Sequence, residues 1–408
     1  MSAAPPINWK KNLVCTWLGQ FLCQAGYAAI MPFLPLFIRD RYGITDEKEL
    51  GMWVSALTFF GFCSFIIANP VWGALADKYG RKLMLLRSYY SAALLFPLMY
   101  FAPSVIWLIA LRFFISCFSG SITASQTLIA ATTPEEHQGV AQGTLSTAVW
   151  SGNMVGLGAG AFCVDFFGYF WGFLGCGALY LAGGVITHVW VRENFVPPVK
   201  TAEKTSFAGK FRGLSAAVWV VLLLFVTANI ARGLDSPYIP LFVSRFGPQE
   251  AAVRNTGIIN LVAALGGLLS GVLMGKLADR FPPEKIGMPA AILSALTMIV
   301  QAFSLNLWML GGLRFANYLC AGGFNPVFLA MLSRISPPEK RGMLLGMAAS
   351  FRILGMLLAS AAGGGLLLVF GSVRSVFFGA AAVFLILIPL IALAVKDMRK
   401  NNQPREAI

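Results

Sequence analysis

Gly73-Ala-Leu-Ala-Asp77-Lys-Tyr-Gly80-Arg81-Lys82 is a short charged bridge between two long apolar runs, and Gly275-Lys-Leu-Ala-Asp279-Arg280 repeats it 202 positions later in the same setting. The flanking runs call for a bilayer, whose hydrocarbon core is crossed by about 20 consecutive apolar residues. A membrane bundle built twice, with a charged hairpin at matching points, is the arrangement in which two lobes rock against each other. The two stretches together predict an all-α, polytopic membrane protein made of two related bundles.

Composition agrees. Only 12% of the 408 residues are charged, 57% are hydrophobic and mean hydropathy is +0.72. Soluble domains carry roughly 25% charged residues. At this length a dozen spans with short connectors leave no room for a soluble domain. The net charge of +14 does not point to nucleic acid, because no basic patch interleaved with aromatics is present. The seven cysteines are odd in number and scattered through apolar runs, so they read as packing residues rather than a disulfide framework or metal site. His137 and His188 have no metal-ligand companions. No H-E-x-x-H, G-x-S-x-G or phosphate-binding loop occurs, which argues against an enzyme and against an ATP-driven pump. Lys10 and Lys11 precede an apolar run from Asn12 to Ile38 that is too long for a signal-peptide core and contains Pro32 and Pro35. It reads as a retained first span.

Charge gaps divide the chain into twelve spans: 12–38, 52–76, 84–101, 104–130, 140–164, 171–191, 215–243, 255–277, 288–303, 307–333, 342–370 and 374–395. Of the 31 lysines and arginines, four (Arg112, Arg232, Arg314 and Arg352) lie well inside spans, while Arg87, Lys276 and Arg374, near span ends, are counted with the adjoining connectors. One set of connectors holds only six, Arg39, Arg41, Lys48, Arg245, Arg254 and Arg374, and the alternate set holds the other 21, Arg87 among them. That bias places both termini and the 192–214 linker in the cytoplasm. With Pro197-Pro198 and mixed charge, the linker separates a first bundle, 1–191, from a second, 215–408.

The repeat extends beyond the hairpin. Pro32-Phe-Leu-Pro35-Leu-Phe37 matches Pro237-Tyr-Ile-Pro240-Leu-Phe242, 205 positions on. Arg112, Phe113 and Gly120 match Arg314, Phe315 and Gly322 at an offset of 202, and Gly152, Gly156 and Gly160 match Gly355, Ala359 and Gly363 at 203. The small-residue series at 152/156/160, and Gly267/Gly271/Gly275, suit close helix approach at an interface that moves.

These residues resemble the major facilitator superfamily over essentially the whole chain. Gly73 to Lys82 matches its helix 2–3 loop motif nearly letter for letter, and Arg112 with Gly120 resembles its second motif. Ile7-Asn8-Trp9-Lys10, Met31-Pro-Phe-Leu-Pro-Leu36, Arg81-Lys-Leu-Met-Leu-Leu-Arg-Ser88 and Gly143-Thr-Leu-Ser-Thr147 are similar to its twelve-helix drug:proton antiporters. The resemblance implies a secondary active transporter working by alternating access in a bacterial inner membrane. It implies export of multiple amphipathic compounds, with uptake or facilitated diffusion of one metabolite as the alternative. No cofactor is implied, the proton gradient supplying the energy. Two departures stand out. The antiporter motif G-x-x-x-G-P-x-x-G-G has Leu157 in place of its proline and ends in Gly160-Ala161. The second hairpin continues as Pro282-Pro283-Glu284 instead of a glycine and a basic pair.

Polar side chains inside the spans mark the candidate site. A charge at mid-bilayer costs roughly 2.5–3.5 kcal/mol on insertion scales, so interior arginines should face protein or a wet cavity. Arg112, Ser116, Ser119, Thr123 and Gln126 follow at spacings of 4, 3, 4 and 3, which is one helical face. Span one offers Gln20, Gln24 and Tyr27, span seven Asn229, Arg232 and Ser236, and span ten Arg314, Asn317, Tyr318 and Asn325, with Arg352 in span eleven. Spans one, four, seven and ten are those with which the resembled family lines its cavity. Asp235 is the one acid well inside a span, one turn from Arg232. It could carry a coupled proton or form a structural pair with that arginine. Four arginines against one aspartate favour an anionic, zwitterionic or neutral amphipathic substrate. In the hairpins Gly73, Asp77, Gly80, Arg81, Lys82, Asp279 and Arg280 are the gating candidates, Asp77 pairing across the seam with a basic residue or a helix N-terminus of the other half. The remaining partners are protons and the bilayer, for a chain expected to act as a monomer.

Overall fold

The computed structural model describes residues 8–195, 214–336 and 340–402. Among these there is no strand, and helical segments group into twelve spans. Span one is α1 (Trp9–Ile30) with α2 (Leu34–Tyr42), spans two and three are α3 (Glu47–Tyr79) and α4 (Arg81–Tyr100), and span four is α5 (Val105–Cys117) with α6 (Ser121–Thr132). Spans five and six are α7 (Gln138–Phe167) and α8 (Tyr169–Trp190), and span seven is α9 (Ala216–Gly233) with α10 (Ile239–Val243). Then follow α11 (Ala252–Arg280) and α12 (Pro283–Ala302), the pair α13 (Leu307–Ala321) and α14 (Phe324–Ile335), α15 (Arg341–Phe370) and α16 (Arg374–Asn402). Ten segments are long and apolar enough by themselves to cross a membrane.

Four spans expected to be continuous are broken, and the breaks repeat between the halves. In span one a 3-10 turn, Met31–Phe33, precedes α2; in span seven a 3-10 turn, Ser236–Tyr238, precedes α10. Pro32 and Pro35, like Pro237 and Pro240, lack an amide N–H and collide with the carbonyl four residues back, so the α-helix cannot continue. Span four breaks at Gly120, whose φ of +118° suits a residue without Cβ. Span ten breaks at Gly322 and Gly323.

The contacts divide the chain into two compact units, Met1–Thr45 with Phe60–Lys200 and Gly247–Ile258, and Asp46–Phe59 with Thr201–Phe246 and Ile259–Ile408. The division differs from a single cut at the linker in two places. The first turns of α3 join the second unit, and the first turns of α11 join the first. Residues 196–213, with Pro197-Pro198, lie outside the described residues.

Within the first unit, α7 lies on α1 at backbone contact. A Cβ on Gly152 would meet the Phe21 carbonyl oxygen at 2.5 Å, one on Gly156 the Ala25 Cα at 2.8 Å, and one on Gly160 the Ala29 backbone. Three small residues one turn apart thus seat three successive turns of α1. This approach lies inside one unit, where the sequence reading placed it at a moving interface. In the second unit α15 repeats it on α9: a Cβ on Gly355 would meet the Val226 carbonyl oxygen at 2.5 Å, and one on Gly233 the Ala359 Cβ at 2.9 Å. The Gly267/Gly271/Gly275 series behaves differently. Gly271 has nothing within 4 Å, Gly267 only the Tyr318 ring at 3.6 Å, and Gly275 lies outside the described side chains.

Candidate functional site

In the first unit the polar residues of spans one and four meet in two groups. Gln20 is fully buried, with its amide directed at Ser121 Oγ (3.5 Å) and its carbonyl accepting from the Tyr89 hydroxyl (3.3 Å). Arg112 Nη2 donates to the Tyr27 hydroxyl at 3.2 Å, and the guanidinium lies 5.7 Å from that ring. Gly61 of α3 leaves it room, since a Cβ there would stand 3.2 Å from Arg112 Nε. Gln24 and Ser116 are buried, Ser119 is half-buried and returns its hydroxyl to the Ser116 carbonyl at 2.8 Å, and Thr123 and Gln126 are exposed. The face predicted by spacing is therefore divided where Gly120 breaks the helix. Arg112 and Ser116 share α5, while Thr123 and Gln126 share α6.

In the second unit Asp235 and Arg314 form an ion pair, each only 1% exposed. Arg314 also reaches the Tyr318 hydroxyl (3.3 Å) and the Gln301 carbonyl (3.5 Å), with its Nε unpartnered. The acid's partner is thus Arg314 and not Arg232. α9 ends at Gly233, so Asp235 sits in the break, where its side chain no longer follows the helical period that would stack it on Arg232. Arg232 instead lies 5.8 Å from the face of Tyr318. Arg352 is half-buried, and its Nε has no partner. Asn325 buries an unpartnered Oδ1. Asn229 donates to the carbonyl of Phe225 in its own helix (2.8 Å), and Asn317 bonds the Ser294 carbonyl (3.1 Å) and Thr297 (2.9 Å) of α12. Asn229 is thus turned back on its own helix, and Asn317 ties α13 to α12.

The first hairpin is organised by a residue that motif reading did not find. Glu193 accepts from the backbone N–H of Arg81 (3.0 Å) and Lys82 (2.8 Å), satisfying two of the unpaired amides at the start of α4. Gly80, at φ +97°, makes the turn, and a Cβ there would lie 3.0 Å from the Glu193 carboxylate. The Lys82 ammonium donates to the His188 carbonyl (2.9 Å), while Asn12 exchanges two bonds with the backbone of Arg192. Glu193 lies 112 positions from Arg81, so no local pattern could reveal it. Asp77 and Gly73 are exposed, and Asp77 makes no ion pair among the described residues. Arg280 is exposed; the side chain of Asp279 lies outside the described ones.

Arg87 also changes place. Counted above with the connector charges, it sits inside α4 with its guanidinium 3.6 Å above the Trp72 ring. Its Nη2 donates to the Ser119 carbonyl (2.9 Å), and Trp72 Nε1 donates to the Cys117 carbonyl (2.7 Å). The break in span four frees these carbonyls, and this pair satisfies them.

Twelve spans with charged side chains held in the interior of each unit define a multi-pass membrane transporter. The Major Facilitator Superfamily model matches residues 16–299 and 250–407, and the chain belongs to that superfamily. It is a secondary transporter. The multidrug resistance protein MdtG of Klebsiella pneumoniae is 35% identical over 389 residues, covering 94% of this chain and 92% of that protein. That of Salmonella typhimurium is 34% identical over 384 residues, covering 93% and 94%. Among solved structures, a bacterial homolog of the human lysosomal transporter Spinster, inward-facing and occupied, superposes with a TM-score of 0.78 at 16% identity, covering 99% of this chain and all of that one. A D-xylose-proton symporter gives 0.72 at 14%, covering 95% and 97%.

Proposed function

We propose that the protein is a proton-coupled exporter of amphipathic small molecules, a reading supported by relatives named multidrug resistance proteins. It would reside in a bacterial inner membrane with both termini in the cytoplasm. Its halves, 1–191 and 215–408, would be joined by the 192–214 linker and expose the site to each side in turn. The observation that carries the reading is the Asp235–Arg314 pair. A buried ion pair is a poor source of stability but a ready switch, because neutralising one partner leaves the other charged in a low-dielectric interior. An ionised Asp235 would accept from a donor group of the substrate beside Arg314, and a proton on Asp235 would withdraw that acceptor and expel the group, so that proton and substrate occupy the site in turn, as export against an inward proton flow requires.

The side chains proposed to meet substrate are Gln24, Tyr27, Arg112, Arg232, Tyr318 and Arg352. Three of them are arginines and none is a carboxylate, which favours anionic, zwitterionic or neutral amphipaths. Asp77, Arg81, Lys82, Asp279 and Arg280 are proposed to bias the gate at the cytoplasmic side. The chain is proposed to work as a monomer. Leu157 in place of the antiporter proline favours the second reading, uptake or facilitated diffusion, because α7 runs unbroken from Gln138 to Phe167. Proteoliposomes with an imposed pH gradient separate the two. Export predicts substrate movement opposite to the proton flow on the pH jump, proton flux on adding substrate, and loss of both in Asp235→Asn, whereas coupled uptake would move substrate in the same direction as the protons. Substrate movement indifferent to the pH gradient in wild type would overturn coupled export.

A further inference from the structure

A cavity of about 440 Å³ opens in the second unit between α11, α12 and α13, lined by Met274, Leu277, Phe281, Lys285, Pro289 and Cys320 among others. Its volume falls within the roughly 300–1,000 Å³ of small-ligand sites. Nothing in the transport reading uses it. The internal repeat explains why it exists. At the constant offset of 202 that relates Gly73 to Gly275 and Arg112 to Arg314, Met274 corresponds to Trp72, Pro289 to Arg87 and Cys320 to Phe118. In the first unit those three side chains fill the equivalent space: Arg87 stacks on Trp72 at 3.6 Å, and the Trp72 and Phe118 rings lie 5.7 Å apart. The second unit replaces indole, guanidinium and phenyl by thioether, pyrrolidine and thiol. The stack is gone and the groove is left.

Its walls are apolar and partly open, with Phe281 and Leu293 about half exposed, at 47% and 50%. Among the described lining residues the charged one is Lys285, and Arg280 is exposed beside Phe281. Lys276, Arg280 and Lys285 outnumber Asp279 and Glu284 in this turn. A basic end on an apolar groove, at the side assigned above to the cytoplasm, has the chemistry that binds anionic lipid headgroups. We infer that the groove holds one acyl chain of an anionic phospholipid of the inner leaflet, with its headgroup phosphate on Lys285 and Arg280.

The test is native mass spectrometry of the full-length protein released from vesicles of equal phosphatidylglycerol and phosphatidylcholine. Wild type should retain phosphatidylglycerol in preference. Lys285→Gln should lose roughly fivefold of it, the size of one basic side chain's attraction to an anionic surface. Cys320→Phe, which restores the ring that the first unit places there, should abolish retention. Leu293→Trp, which plugs the groove from its exposed wall, does the same if Cys320→Phe does not fold. Lys48→Gln, in a connector of the opposite set, should retain lipid as wild type does. Equal retention of the two lipids by wild type overturns the inference, as does undiminished retention in either Lys285→Gln or a folded plugged variant. A dimer mass that the plugged variant abolishes would assign the groove to a second copy and overturn it equally.

Discussion

Arg314 and Asp235 are each only 1% exposed, and that confinement fixes what removing either should do. Asp235→Asn leaves a buried guanidinium without a counter-charge, a loss of about 3–5 kcal/mol when one member of a buried pair is taken away. The thermal midpoint of the purified protein should fall and transport should cease. The double variant Asp235→Asn/Arg314→Gln should regain most of the midpoint without regaining transport. If the double variant melts as low as the single one, the pair is not the source of the loss. Glu193→Ala, with two amides of α4 left without their acceptor, should cost about 0.5–2 kcal/mol, as other lost helix caps do. That is a smaller midpoint shift than Asp235→Asn gives. At this scale the sequence marked Asp235 and Arg314 as interior charges but not as partners, and it left Arg87 among the connectors. Asp235 had an arginine three positions away and pairs with one 79 away, because a helix end separates it from the nearer one. Glu193 carries no signal at all, since an ordinary acid after a span becomes a cap only when the chain folds back onto it.

Helices reveal which of the legible patterns shape backbone and which only pack. The prolines of spans one and seven announced their breaks, for a missing N–H has the same consequence in any context. Gly120 did not, because a glycine in an apolar run serves equally as a break or as a packing surface. Its φ of +118° now predicts that Gly120→Ala strains the turn by roughly 1–3 kcal/mol and loosens the Trp72 and Arg87 contacts with the freed carbonyls. Tryptophan fluorescence of Trp72 would register that loosening. The packing glycines predict a sharper contrast. Gly156→Ala would place its methyl 2.8 Å from the Ala25 Cα, where only backbone could give way, whereas Gly175 has nothing within 4 Å. Gly156→Ala should collapse the yield of folded protein in the membrane, and Gly175→Ala should leave it unchanged. Equal yields would mean that α1 and α7 are not in backbone contact.

The duplicated architecture is most fully expressed where the two copies differ. The sequence disclosed the repeat through its prolines, arginines and charged hairpins, which few other residues can replace. It hid the complementary substitutions, because an apolar residue exchanged for another is silent until its neighbour is known. Two such exchanges meet at the start of α3 and of α11. Gly364 makes room for Ser55, so that the Ser55 hydroxyl bonds the Ser360 carbonyl inside the second unit. Inside the first, Gly257 makes room for Ala161. Ser55 matches Gly257 at an offset of 202, and Ala161 matches Gly364 at 203. Each contact therefore joins one larger and one smaller residue, with the roles reversed between the copies. The proposed alternating access through two rocking halves would require both contacts to part once in every cycle, since each links residues from different sequence halves. Cysteine pairs at 55 and 364, or at 161 and 257, placed in a background without the native cysteines, should cross-link on oxidation. Either bond should stop transport in proteoliposomes, and a reductant should restore it. Cross-linked protein that still moves substrate at the uncross-linked rate would mean these helix ends stay together throughout, and the rocking motion inferred from the repeat would have to be abandoned.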